Sequence, residues 1–141
     1  TGLIERSVRL KAAVVEKDEF ETGLRKTLNL GHTLGHAFEA AFNYRLRHGE
    51  AVAIGLAAES RIARDMGILS TNEFARLLHL MHALGLRMSL PQLKNAKKFL
   101  SALSLDKKSI GQSTKFVLLK RIGCTVVGVD VPTPFIERVF S

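Results

Sequence analysis

Apolar positions recur at the helical period through most of the chain. Leu3, Ile4, Val8, Ala12 and Val15 share one face, which predicts a helix over residues 3–16. Lys17-Asp18-Glu19 is a polar interruption. A second, longer helical pattern runs over residues 20–42, and residues 44–47 read as a connection. Residues 50–66 are strongly apolar and rich in Ala, with Gly67 placed to stop a helix. A helix apolar on most faces is expected at the centre of a fold.

The rest is lighter. Ser70-Thr71-Asn72-Glu73 has the form of a capping box, which opens a helix that runs to Leu84 and stops at Gly85. Pro91 is placed to start a short helix, and helical character continues over residues 95–103. Residues 116–121 and 125–131 are rich in β-branched and large apolar side chains around Gly123, the pattern of a β-hairpin. Pro132 and Pro134 end it, and the last residues suit a short helix. The predicted fold is mainly α, a single helical domain over residues 1–141 with one small hairpin near the C-terminus.

Composition narrows the function classes. The chain has 141 residues, of which 46% are hydrophobic, enough for one sizeable core. It begins on Thr1 rather than Met, which suggests a fragment or a processed chain, and no secretory leader pattern is visible. No apolar run has the length of a membrane span. Cys124 is the only cysteine, so a metal must be held by nitrogen and oxygen ligands, and a cytoplasmic setting is expected. The net charge is +8, but aromatics are 6% and the basic residues are scattered. No stacking platform for nucleic acid emerges. A small anionic substrate explains local positive charge equally well.

The chemistry concentrates in residues 21–36. If residues 20–42 form one helix, Glu21, Arg25, Asn29, His32 and His36 fall within roughly 80° of arc. Leu24, Leu28, Leu34 and Phe38 lie on other sides, free to pack. A polar stripe is most often a solvated face. This one has an acid, a guanidinium, an amide and two imidazoles, and His and Asn are poor helix formers. Gly31 and Gly35 each cost about 1 kcal/mol inside a helix, and their spacing makes a smooth strip for a close neighbour. Both features suit a site wall. His32 and His36 can face one point, and His48 supplies a third imidazole from a connection that can fold back. Two of these histidines plus a carboxylate fit a zinc site with an open position. Thr33 stands where a zinc metalloprotease motif needs Glu, which excludes that class.

The runs Asp18-Glu19-Phe20-Glu21-Thr22-Gly23-Leu24-Arg25, Leu28-Asn29-Leu30-Gly31-His32-Thr33-Leu34-Gly35-His36-Ala37-Phe38-Glu39 and His48-Gly49-Glu50-Ala51-Val52-Ala53-Ile54-Gly55 resemble the signature of the 3-dehydroquinate synthases. Lys11-Ala12-Ala13-Val14-Val15 and Asp106-Lys107-Lys108 fit the same pattern. The likeness extends over nearly all of the chain and is most specific from Lys11 to Gly55. It implies the C-terminal domain of an enzyme that uses NAD and Zn2+ (or Co2+). That enzyme, a phosphorus–oxygen lyase of the shikimate pathway, turns 3-deoxy-D-arabino-heptulosonate 7-phosphate into 3-dehydroquinate and phosphate.

By residue match, His32 and His48 would ligate zinc. His36 would contact substrate and move protons, with Glu21 as a second acid/base. Lys11, Arg25, Asn29 and His48 would bind substrate, with Lys107 or Lys108. The resemblance also implies a homodimer in the full-length enzyme; membrane and nucleic-acid partners are not expected from hydropathy and composition. The family's N-terminal domain binds most of the NAD and gives a carboxylate zinc ligand. No strand, Gly-rich turn and helix with nucleotide spacing occurs in this sequence. The isolated chain is therefore expected to be inactive. The rival expectations are a domain of a related sugar-phosphate cyclase, or a basic helical module for nucleic acid or protein.

Overall fold

The computed structural model describes residues 2–89, 96–105 and 115–140. Helix α1 spans Gly2–Lys17 and leads through a turn into a 3₁₀ segment, Leu24–Asn29. Four helices follow: α2 (His32–Ala41), α3 (His48–Asp65), α4 (Thr71–Ala83) and α5 (Ala96–Leu105). Strands β1 (Lys115–Arg121) and β2 (Cys124–Asp130) form an antiparallel hairpin, and α6 (Thr133–Glu137) ends in a 3₁₀ turn at Arg138–Phe140. The mainly helical fold with one hairpin is as the hydrophobic pattern predicts. Pro91, Lys107 and Lys108 lie outside the described residues.

Helix α3 is the central element. Ala51, Ala53, Ile54, Ala57, Ile62 and Ala63 are buried along it. Around it pack Leu34 and Phe38 of α2, Leu77 and Met81 of α4, Phe99 of α5, and Phe116 and Leu118 of β1. Phe38 and Phe99 meet with ring centroids 4.8 Å apart. Each such fully buried large side chain contributes about 1.5–3 kcal/mol, so this cluster fixes α2 on α3. Strand β1 is buried from Phe116 to Leu119, while β2 is largely exposed. The turn between them places Gly123 at φ 83°, where glycine meets no Cβ penalty.

Helix α1 forms where its periodicity predicts, yet Leu3, Ile4, Val8 and Leu10 are exposed. Its pattern is not satisfied by burial against the other described residues. At α4, Ser70 accepts from the Glu73 N–H at 3.2 Å, as a cap should. The Glu73 carboxylate does not complete the expected box. It accepts from the Ile122 N–H at 2.7 Å and from Arg76, tying α4 to the hairpin turn. Among the described residues no helix is long and apolar enough to cross a membrane.

Residues 20–42 are not one helix, and this is the main correction to the sequence pattern. Asp18 takes the backbone N–H groups of Thr22, Gly23 and Arg25, and the Thr22 hydroxyl, at 2.8–3.0 Å. A carboxylate that captures backbone donors offers the chain an alternative to helix. Glu21 sits at φ 56° and Gly31 at φ 81°, both in the left-handed region that interrupts a right-handed helix. Gly31 is thus the N-cap of α2 rather than an interior position. Leu24, expected to pack, is exposed.

The close approach expected of Gly31 and Gly35 is present. A Cβ on Gly35 would lie 3.2 Å from the Val52 Cα. One on Gly55 would lie 2.1 Å from the Gly31 carbonyl oxygen and 2.7 Å from the Gly35 nitrogen. Backbone meets backbone at this crossing.

Candidate metal and substrate site

The crossing of α2 and α3 brings three imidazoles together. His32 and His36 stand one turn apart on α2, and His48 is the first residue of α3. Their ring centroids form a near-equilateral triangle: 5.6 Å from His32 to His36, 5.4 Å from His32 to His48 and 5.6 Å from His36 to His48. The expected fold-back of His48 is therefore present.

Each ring uses Nδ1 to hold its orientation. His32 Nδ1 lies 3.3 Å from the Leu30 carbonyl oxygen. His36 and His48 place Nδ1 at 2.7 and 3.1 Å from the two oxygens of Glu39. Carbonyl and carboxylate oxygens only accept, so Nδ1 carries the proton on all three rings. In the neutral rings Nε2 is then left with a lone pair, the form a metal takes. Burial above all lowers the His32 pKa, and the neighbouring imidazoles add to this. Burial pushes the Glu39 carboxyl up, but hydrogen bonds from His36 and His48 outweigh it and leave it below its ordinary value.

One atom each of His36, Glu39 and His48 lie within 4.8 Å of one another, a second grouping able to hold a cation. Both Glu39 oxygens already accept from imidazoles, which suits an orienting carboxylate behind the ligands.

Among the clefts beside the triangle are two that residues of the expected stripe line. One, about 460 Å³, is lined by Glu21, Lys26, Asn29, His32, His36 and Lys115. The other, about 580 Å³, is lined by Lys11, Glu21, Arg25, Asn29 and His32. Both fall in the range of small-ligand sites. The five residues of the expected stripe do meet here, although through a turn, a 3₁₀ segment and a helix instead of one helical face. Asn29 donates to Glu21 at 3.0 Å. Arg25 donates to the Glu19 carbonyl at 2.8 Å.

The model of the family described as 3-dehydroquinate synthase C-terminal matches residues 1–109. The chain belongs to the 3-dehydroquinate synthase family. The 3-dehydroquinate synthase of Nitrosospira multiformis is 42% identical over 142 residues, covering all of this chain and 38% of its own length. Among solved structures, the 2-epi-5-epi-valiolone synthase ValA of Streptomyces hygroscopicus subsp. jinggangensis 5008, with NAD+ and Zn2+ bound, is similar at TM-score 0.80. It is 29% identical, with 98% of this chain and 38% of that one covered. A 2-deoxy-scyllo-inosose synthase complexed with carbaglucose-6-phosphate, NAD+ and Co2+ also gives TM-score 0.80, at 25% identity, covering 92% of this chain and 38% of that one. The chain spans about two-fifths of the length of these relatives.

Within this member of the 3-dehydroquinate synthase family, three acidic residues to which the sequence reading gave no role shape the site. Glu39 shows a helical His-x-x-Glu spacing from His36, a signal present in the sequence. Glu59 interrupts the most apolar helix, which is also visible. Asp18 gives no sign of its role until the turn has folded. Lys115 reaches the site from the hairpin, which no local pattern reports.

Asp18 sets up a prediction. Hydrogen bonds from the backbone of Arg25, Gly23 and Thr22 hold its carboxyl well below the usual carboxylate range. A depressed carboxylate contributes stability that is fully present above its ordinary pKa of 3.8 and is lost as pH falls below it. Asp18→Asn is expected to destabilise the protein near neutral pH, with the gap to the parent shrinking under acid. Denaturant unfolding near neutrality and below pH 3.8 measures both. An equal gap at both pH values would contradict this account of the turn.

Proposed function

We propose that this chain supplies the zinc- and substrate-binding part of a 3-dehydroquinate synthase. The full-length enzyme converts 3-deoxy-D-arabino-heptulosonate 7-phosphate to 3-dehydroquinate and phosphate. The observation that carries this is the histidine triangle, with edges of 5.4–5.6 Å, opening on clefts lined by Lys11, Arg25, Lys26 and Lys115. An anionic sugar acid suits that lining better than nucleic acid does.

The donor set fits zinc or cobalt. His32 and His48 would hold the ion through Nε2, with Glu39 fixing the His48 ring and the Leu30 carbonyl fixing His32. When bound, the ion acidifies an adjacent hydroxyl and polarises a carbonyl. Arg25 binds a carboxylate or phosphate through paired N–H donors, while Lys11 adds charge and Asn29 an amide. His36, an exposed corner of the triangle, is placed to exchange a proton with substrate at Nε2. Glu21 faces both clefts as the second acid/base, and Asn29 holds its carboxylate. NAD is assigned to the rest of the full-length protein, as the family resemblance implies. A homodimer is the assembly proposed, as the family resemblance implies, in the cytoplasmic setting that the single Cys124 suits.

The rival is a sugar-phosphate cyclase acting on a phosphosugar without a carboxylate. The Glu21, Arg25 and Asn29 set favours the synthase, since it offers a guanidinium and an amide for that extra group. Full-length protein given NAD, zinc and the seven-carbon phosphosugar acid should release phosphate, and the 141-residue chain alone should not. Turnover only on a phosphosugar lacking the carboxylate would favour the cyclase. Full turnover by the chain alone would overturn the division of labour proposed here.

A further inference from the structure

Helices α2 and α3 touch along Gly31, Gly35, Ala51 and Gly55. Such a contact brings backbones close but has no interlocking side chains, so it sets distance far better than register. Yet the two helices carry the histidines on opposite sides of the crossing: His32 and His36 on α2, His48 on α3. Leu34 and Phe38 hold the buried face of α2 against α3, but the free backbone N–H groups at the start of α2, beside His32, need a partner of their own.

Glu59 is the group in place to be that partner. It lies on α3, eleven residues or about three turns after His48, and it is fully buried. Gly31 N–H donates to its Oε2 at 2.6 Å, and Leu34 N–H donates to its Oε1 at 2.9 Å. These donors flank His32 on the chain. They belong to the first turn of α2, whose N–H groups have no partner within the helix. An N-cap side chain ordinarily fills that need. Here the N-cap is Gly31, and a Cβ there would meet the Leu56 nitrogen and the Val52 oxygen at 2.9 Å. A local cap is therefore excluded by the same close crossing, and the cap comes from the helix that bears His48. Burying a carboxylate costs several kcal/mol unless it is well paired, so a plain stability role would be served more cheaply elsewhere.

We propose that Glu59 is a positioning residue of the zinc site: its carboxylate fastens the first turn of α2 to α3 and so sets where His32 stands relative to His48. This rests on the zinc reading above. Glu39 governs the ring directions of His36 and His48, whereas Glu59 governs the placement of the helix turn that carries His32.

The test uses the full-length protein and the variant Glu59→Gln. The amide keeps the shape but offers one acceptor where two N–H donors need one each. The variant is expected to fold, to bind zinc roughly 10–100-fold more weakly, and to show a changed visible spectrum with Co2+. In the metal-free protein with isotope-labelled histidine, the His32 ring resonances should move, and by more than those of His48. A folded variant with parental zinc affinity, Co2+ spectrum and His32 resonances overturns the proposal. If Glu59→Gln does not fold, Glu59→Asp keeps both acceptors but withdraws them by one methylene. It should show the same changes in smaller degree, and parental behaviour there overturns the proposal as well. His32→Ala separates the two levels. If that variant binds zinc as the parent does, the zinc reading fails and takes the proposal with it. If it loses zinc while Glu59→Gln does not, only the role of Glu59 fails.

Discussion

Gly55→Ala is expected to break the pairing of α2 and α3 and to destabilise the fold by about 3 kcal/mol or more. The added Cβ would fall 2.1 Å from the Gly31 carbonyl oxygen and 2.7 Å from the Gly35 nitrogen. Both are backbone atoms in helical or capping geometry, so neither can swing away as a flexible side chain would. The helices must separate, and the separation pulls Leu34 and Phe38 out of a core in which both are fully buried. A domain is stable by only about 5–15 kcal/mol in all, so a melting point lower by on the order of 10 °C is expected. Gly49→Ala is the matched control on the same helix, because a Cβ there meets nothing within 4 Å. It should be neutral to within about 1 kcal/mol. Circular dichroism melts of the parent and both variants decide the matter. Equal stability of Gly55→Ala and the parent would mean that the backbones do not cross as described.

In full-length protein, His48→Ala should remove metal-dependent phosphate release while leaving the fold intact. Losing a group that merely orients a ligand typically costs 10–100-fold in metal affinity or activity. Removing a direct ligand should cost more than about 100-fold. The His48 side chain is 57% exposed and supplies no core packing, so the change in folding stability should stay within about 0.5 kcal/mol. That separation makes the variant informative. Zinc retained against a competing chelator, and phosphate release measured with NAD and the phosphosugar acid, give the two readouts. Normal zinc content together with normal turnover would end the role proposed for His48.

Much of this was legible along the chain. Helices α1, α3, α4 and the hairpin follow from periodicity, from Gly67 and Gly85 as stops, and from the β-branched runs around Gly123. Those features are local, and local sequence decides them. The candidate residues were visible too, because acids, imidazoles and amides in a stripe are poor choices for a plain helix surface. The geometry that periodicity implies for them is not the one the protein adopts. One helix over residues 20–42 would place them on one face by rotation alone. The protein uses a turn gripped by Asp18 and a helix start gripped by Glu59, and the groups meet because the chain folds back on itself.

The sequence by itself determined the types of α1, α3, α4 and the hairpin, the buried character of α3, the glycine strip that admits a close neighbour and most of the candidate groups at the site. Tertiary structure alone decided how those groups converge. His48 joins His32 and His36 because α3 crosses α2 at backbone contact, and Lys115 arrives from a strand far along the chain. The break at Gly31 was decided there as well. Its N–H finds a carboxylate on another helix, and its left-handed backbone fits a space set by Val52 and Leu56. Periodicity records which way a side chain points within one element. It carries no record of a hydrogen bond to a residue 28 positions away, and such bonds are what hold this site together.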